Sequence, residues 1–155
     1  MSKAISRTIG EPGLNIIKHF EQCRLKAYMP TPNDVPTIGW GHTRGVKMGM
    51  VCTQTQADRW LLQDCEDAER DVNWRVRVPI TQNQFDALTS FAFNVGGGNF
   101  GSSTLLRKLN GGDYMGASKE FGKWVYQKPN PEPLGGLVKR REMERLLFLT
   151  QPEQP

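Results

Sequence analysis

The chain has 155 residues, a formal net charge of +4 and a hydrophobic content of 37%. This length is enough to bury a substantial core and is too short for more than one compact unit, although that unit can have two lobes. Because no apolar run approaches the roughly 20 residues that a membrane-spanning helix needs, we expect no stable membrane insertion.

The first ten residues are charged at Lys3 and Arg7 but have no apolar segment behind them. A secretory signal needs such a segment, so we expect none and place the protein in the cytoplasm of the cell that makes it until it is released. The three cysteines Cys23, Cys52 and Cys65 are an odd number without Cys-x-x-Cys spacing. They favour reduced thiols over a disulfide framework.

The first predicted element is an amphipathic helix that ends near Glu21. Pro12 and Gly13 open it, and apolar residues then recur at helical spacing, at Leu14, Ile17, Phe20 and Cys23. Glu21 lies in the last turn beside this apolar stripe, where lost hydration favours the protonated form that a general acid needs. The alternative is a solvated surface glutamate, as most glutamates are.

A small hairpin with a long loop is predicted next. Two β-prone runs, one ending at Tyr28 and the other over 37–43, flank a segment at 29–36 that is rich in Pro, Asn and Asp. Gly39 and Gly41 permit close approach of the backbone to other groups. The helix and the hairpin would together form one wall of a cleft.

The rest of the chain is predicted to be helical. Thr53 or Thr55 would cap a long helix that runs through Val72. Thr81 and Gln84 have the spacing of a capping box, and the apolar helix behind them ends at three consecutive glycines. Shorter helices, a proline-rich connection and a C-terminal helix follow, at about 101–109, 111–124, 127–136 and 137–148.

These elements predict an α+β, mostly helical fold with two lobes and a cleft between them. The small lobe, with the Glu21 helix and the hairpin, would cover about 12–52. The connecting helix would cover about 54–75, and the larger helical lobe about 76–150.

Several segments resemble the phage-type lysozymes, or endolysins, which are glycoside hydrolases that degrade bacterial peptidoglycan. The family pattern is a Glu, eight residues, an Asp, five residues and a Thr, followed by Ile-Gly-x-Gly-His; Glu21 and the run 37–42 match it. Further similar segments follow in order at 85–96, 103–110 and 136–142. The resemblance covers the chain from about residue 12 to 148.

The chain departs from the family pattern at Pro30, which stands at the position of the family's Asp. A proline side chain cannot hold or deprotonate a water molecule. The nearest acid is Asp34, and we predict that the longer loop before Thr37 brings its carboxylate, or a water that it holds, toward the bond that is cleaved. The alternative is a turn residue, because Asn and Asp side chains cap their own backbone.

Three further residues receive roles from the resemblance. Thr37 would hold the attacking water, since its hydroxyl both donates and accepts; the alternative is a β-branched strand residue without a catalytic role. Asn94 would contact the sugar backbone; the alternative is a helix-end residue that tolerates left-handed geometry. Arg140 would meet substrate carboxylates; the alternative is a solvated helix face.

Two classes of site are disfavoured. His19 and His42 have no second ligand at metal spacing, so we expect no metal site and no cofactor, and His42 should be buried and hydrogen-bonded behind the hairpin. Nucleic-acid binding is disfavoured because Glu142 and Glu144 interrupt the basic cluster near the C-terminus.

The resemblance therefore implies a muramidase that acts on an extended peptidoglycan strand. Glu21 would protonate the oxygen between N-acetylmuramic acid and N-acetylglucosamine, and water held by Thr37 and Asp34 would attack. Direct attack gives inversion, which requires about 6.5–9.5 Å between the two carboxyl groups. The resemblance also implies release by a phage holin, and we expect a monomer. The alternatives are a lytic transglycosylase that uses Glu21 alone and a non-catalytic wall-binding module.

Overall fold

The computed structural model describes residues 6–127 and 132–152. The chain divides into two compact units. The small unit is Ile17–Glu66, and the large unit is formed by the chain before Ile17 and after Glu66. Part of the predicted proline-rich connection lies outside the described residues.

Helices dominate the structure, with one two-stranded antiparallel sheet. The α+β, mostly helical prediction is confirmed. In chain order the elements are α1 (Glu11–Glu21), β1 (Arg24–Tyr28), β2 (Thr37–Gly39), α2 (Gln54–Asp64), α3 (Glu66–Arg75), α4 (Gln82–Val95), α5 (Gly97–Gly101), α6 (Thr104–Asn110), α7 (Tyr114–Ser118), a 3-10 turn (Phe121–Lys123) and α8 (Gly135–Leu149).

The sheet of the small unit is the predicted hairpin. β1 and β2 pair antiparallel with Arg24 opposite Gly39 and Tyr28 opposite Thr37, and the register is irregular between these pairs. All three residues of β2 are buried. Gly39 has a positive φ of 64°, and a side chain there would lie 3.1 Å from the Cβ of Ala57. Close packing on α2 therefore requires glycine in this strand.

The connecting helix predicted at about 54–75 is two helices, α2 and α3. Thr53 caps α2, as one of the two expected threonines, by accepting a 3.1 Å hydrogen bond from the backbone N–H of Gln56. The break falls at Cys65, which is fully buried. Apolar residues keep helical spacing from Leu61 through Cys65 to Ala68, so the sequence pattern gives no sign of the break.

The core of the large unit surrounds α4, as predicted. Residues 85–92 of this helix are all buried. The capping box is present: Thr81 and Gln84 exchange hydrogen bonds of 3.1 Å and 2.9 Å between side chain and backbone. The ring of Phe91 makes edge contacts with three other aromatic rings, those of Phe100, Phe121 and Trp124.

The start of α1 is fixed by a buried carboxylate of α4. Asp86 is fully buried and accepts hydrogen bonds from the backbone N–H groups of Gly10 at 3.0 Å and Gly13 at 3.2 Å. A negative charge at the first turn of a helix offsets its unpaired N–H groups. The first turn of α1, which belongs to the large unit, therefore depends on Asp86.

Candidate active site

Glu21 is the last residue of α1 and is partly buried. The helix ends there because Gln22 adopts a left-handed backbone conformation with φ of 55°. This conformation is costly for a residue other than glycine, and such residues concentrate at functional sites. The abrupt end leaves the Glu21 side chain at the helix terminus, where β1 begins three residues later.

The Glu21 carboxylate lies against the backbone of Gly41. A Cβ atom added to Gly41 would overlap Oε2 of Glu21 and lie 3.0 Å from its Cδ. Gly41 also has a φ of 83°, which side chains disfavour. The structure thus brings together Glu21 and the Ile-Gly-Trp-Gly-His run, two parts of the motif that the sequence singled out, and only glycine fits at their contact.

The side chain of Trp40 contacts residues of both α1 and α2. Its indole Nε1 donates a 2.8 Å hydrogen bond to Asp58 of α2, and the Lys18 ammonium lies 5.4 Å from the ring centroid. Gln54 donates to the same Asp58 oxygen at 2.9 Å. The hydrogen bonds from Trp40 and then Gln54 lower the pKa of the Asp58 carboxyl, so this anchor is ionised at neutral pH.

His42 is buried and hydrogen-bonded, as predicted. Its Nδ1 lies 2.8 Å from a carboxylate oxygen of Asp64. Its ring stacks on Trp60 with centroids 4.6 Å apart and an angle of 6° between the planes. Both contacts are to α2, so this helix fixes the residues on either side of Gly41 and thereby the backbone against which Glu21 rests.

Thr37 is 5% exposed, and its hydroxyl donates a 3.0 Å hydrogen bond to the carbonyl oxygen of Val35. The hydroxyl proton is therefore committed, while the oxygen can still accept. A water bound to Thr37 would donate a hydrogen to it and keep a lone pair for attack.

Asp34 is exposed and lies in a turn. One of its carboxylate oxygens accepts a 2.8 Å hydrogen bond from the Val35 N–H, and its own N–H donates to the Thr31 carbonyl at 3.1 Å. This is the local backbone capping named as the alternative for Asp34. Val35 also accepts from Thr37, so one residue links the two side chains that were predicted to handle water.

A groove of about 360 Å³ in the large unit includes Asn94. Asn94 is exposed at the end of α4, as predicted, and its side-chain oxygen accepts a hydrogen bond from Arg141. The groove is also lined by amides and aromatic rings that the sequence did not single out, at Asn99, Trp124, Tyr126 and Gln127. Amide groups can hydrogen-bond to sugar hydroxyls, and exposed aromatic faces can pack against the faces of sugar rings.

Arg140 is buried, with 3% exposure, so the alternative of a solvated helix face is wrong. Its guanidinium donates to Glu144 at 3.2 Å and to the Ser90 carbonyl at 3.1 Å. Arg141 also pairs with Glu144, which has no exposed surface. Burial raises the pKa of the Glu144 carboxyl, and the charges of Arg141 and Arg140 oppose this shift. Glu144, which was expected to interrupt a basic cluster, is instead the buried counter-charge of Arg140 and Arg141.

Neither a metal cluster nor a spanning helix is found within residues 6–127 and 132–152. No three His, Cys, Asp or Glu side chains of this part of the chain are grouped to hold a metal ion. Within the same residues, no helix has the length and apolar character to cross a bilayer.

The comparison with known proteins decides the family. The family model described as "Phage lysozyme" matches residues 18–144. The chain belongs to the phage lysozyme family. It is similar to an endolysin of Acyrthosiphon pisum secondary endosymbiont phage 1, with 48% identity over 142 residues that cover 90% of this chain and 97% of the relative.

Solved structures agree. The muramidase domain of SpmX from Asticaccaulis excentricus is 38% identical with a TM-score of 0.86, over 94% of this chain and all of that chain. A mutant of P22 lysozyme is 38% identical with a TM-score of 0.82, over 93% of this chain and 99% of that one. The chain is therefore a peptidoglycan-hydrolysing lysis enzyme, a glycosidase of the muramidase type, and its family favours an enzyme over a non-catalytic module.

Proposed function

We propose that the chain hydrolyses the β-1,4 bond between N-acetylmuramic acid and N-acetylglucosamine, with Glu21 as the general acid. The contact between the Glu21 carboxylate and Gly41 carries this proposal. A general acid must be held within hydrogen-bond reach of the leaving oxygen. The end of α1 and the turn fixed on α2 hold Glu21 from two directions.

Thr37 and Asp34 are proposed to handle the attacking water. Thr37 orients it through its acceptor lone pair. Asp34, joined to Thr37 through Val35, supplies the negative charge that favours loss of the water's proton. Direct attack by this water inverts the configuration at the sugar carbon.

Asn94 is proposed to bind the glycan in the groove that it lines with Trp124 and Tyr126. Contact of Arg140 with substrate carboxylates stays a prediction. Its buried guanidinium would have to share its hydrogen bonds between the substrate and Glu144.

Analysis of the reaction products tests the reaction class. We expect purified peptidoglycan treated with the enzyme to yield fragments with hydrated N-acetylmuramic acid at the reducing end, as measured by mass spectrometry. Anhydromuramic ends would instead show the second candidate, a lytic transglycosylase. Pro30 at the family's Asp position favours that rival, because a transglycosylase needs Glu21 but no second carboxylate.

Access to the wall is proposed to depend on a holin that permeabilises the membrane. If so, cells expressing the chain alone should keep their optical density and lyse only after a holin is co-expressed or chloroform is added. Lysis without either treatment would overturn this proposal.

We also propose a monomer, for which light scattering after size-exclusion chromatography should give a mass near 17.5 kDa.

A further inference from the structure

A second groove, of about 760 Å³, lies in the large unit between the end of α3 and α6. It shares no lining residue with the groove around Asn94. Its lining includes Trp74, Arg75, Arg77, Arg107 and Asn110. We call this surface the arginine groove.

The lining of the arginine groove is basic. It contains three arginines and no acidic side chain. Arg75 is partly neutralised, since its Nε pairs with Asp71 at 3.3 Å. Arg77 and Arg107 are both exposed, so their charge excess faces solvent. Guanidinium groups bind carboxylates and phosphates in a two-pronged geometry, which makes the groove suitable for an anionic ligand.

Hydrogen bonds from one side chain fix the backbone that lines the arginine groove. Asn110 accepts a 2.8 Å hydrogen bond from the N–H of Arg77 and donates a 2.9 Å hydrogen bond to the carbonyl of Arg75. One side chain of α6 thus clamps the chain after α3. Gly101 lies beside the Arg75 guanidinium, because a Cβ atom added to it would lie 2.6 Å from the guanidinium carbon. A preformed groove loses little entropy when a ligand binds.

Trp74 adds an apolar face to this basic surface. It is 74% exposed, and the guanidinium of Arg75 lies 5.4 Å from its ring centroid. An exposed indole can cover the flat face of a sugar ring or the methyl groups of a short peptide. Basic and aromatic side chains together fit a ligand that has both carboxylates and apolar faces.

We propose that the arginine groove is a non-catalytic binding site for the peptide stems of peptidoglycan, whose free carboxylates would pair with Arg77 and Arg107 while Trp74 covers an adjoining sugar or alanine. The inference rests on the chain acting on peptidoglycan, but not on the roles proposed for Glu21, Asp34 or Thr37. A second contact would keep the enzyme on its insoluble substrate between cleavages.

Sedimentation with purified peptidoglycan sacculi tests this site. The protein carries Glu21→Gln so that the sacculi stay intact, and the bound fraction is measured on ice across a salt series. We expect the double variant Arg77→Gln/Arg107→Gln to weaken binding about three- to tenfold at low salt, because it loses two surface ion pairs with the ligand. The matched control is Arg44→Gln with Arg59→Gln, which removes the same charge from exposed arginines outside the groove and should change binding by less than about twofold.

Two further readouts make the assignment specific. Trp74→Ala should also weaken binding, and Trp74→Phe should restore part of it, with circular dichroism used to show that each variant is folded. On glycan strands whose stems have been removed by an amidase, the difference between the groove variant and the control should disappear. With Glu21 restored, cleavage of a soluble stem-free oligosaccharide should be unchanged.

Equal binding of the groove variant and the control pair would overturn the proposal. So would a difference that persists on stem-free glycan, or one seen with vesicles of phosphatidylglycerol but not with sacculi, which would indicate a membrane site instead. If the Glu21→Gln protein still digests sacculi, the role of Glu21 fails, but the binding comparison can still be read on ice before digestion proceeds.

Discussion

Glu21→Gln is expected to lower the rate of peptidoglycan hydrolysis about a thousandfold, the size of effect that loss of a general acid produces. Glutamine keeps the size and polarity of the side chain but has no proton to give to the leaving oxygen. The contact with Gly41 should be retained, because the two side chains have almost the same shape. The measurement is the clearing rate of a suspension of purified peptidoglycan, with a thermal melt to show that the variant is folded.

Variants of Thr37 and Asp34, the two residues proposed to handle the attacking water, provide a comparison for the rate loss in Glu21→Gln. Thr37→Val removes the hydroxyl but not the β-branched shape, and Asp34→Asn removes the charge but leaves an oxygen for the Val35 N–H. We expect each to lower the rate about tenfold to a hundredfold, less than Glu21→Gln, because the other partner still holds the water. Clearing by Glu21→Gln at the wild-type rate would contradict the assignment of the acid.

Glu144→Gln is expected to destabilise the protein by about 3–5 kcal/mol, as removal of one partner from a buried ion pair does. Glu144 has no exposed surface and contacts Arg140, Arg141 and the hydroxyl of Ser90, the last at 2.6 Å. Glutamine would leave two buried guanidinium groups without their counter-charge. The free energy of unfolding from urea titration measures the effect.

Glu142→Gln is the matched control for this variant. Glu142 lies on the same helix and forms an ion pair with Arg145 that is exposed to solvent. Water screens such a pair, so we expect no measurable change in the urea midpoint. If both glutamate variants unfold at the wild-type urea concentration, the buried network does not hold α8 in place.

Local patterns in the sequence predicted α1 and the start of α4. Apolar residues at helical spacing gave α1, and Thr81 with Gln84 gave the start of α4, because these signals depend on neighbours within one helical turn. The break between α2 and α3 was missed because the apolar spacing continues through Cys65. A pattern that stays periodic cannot reveal where a helix is interrupted.

The sequence by itself determined the motif: Glu21 at the end of a helix, followed by a hairpin with glycines at 39 and 41. Only the tertiary structure decided how buried the charges of α8 are and which side chains share a groove. Arg140 is buried because Glu144 and Ser90, one turn away and 50 residues away along the chain, surround its guanidinium. Spacing within a helix is encoded locally, whereas the burial of a charge depends on elements that meet only when the chain folds.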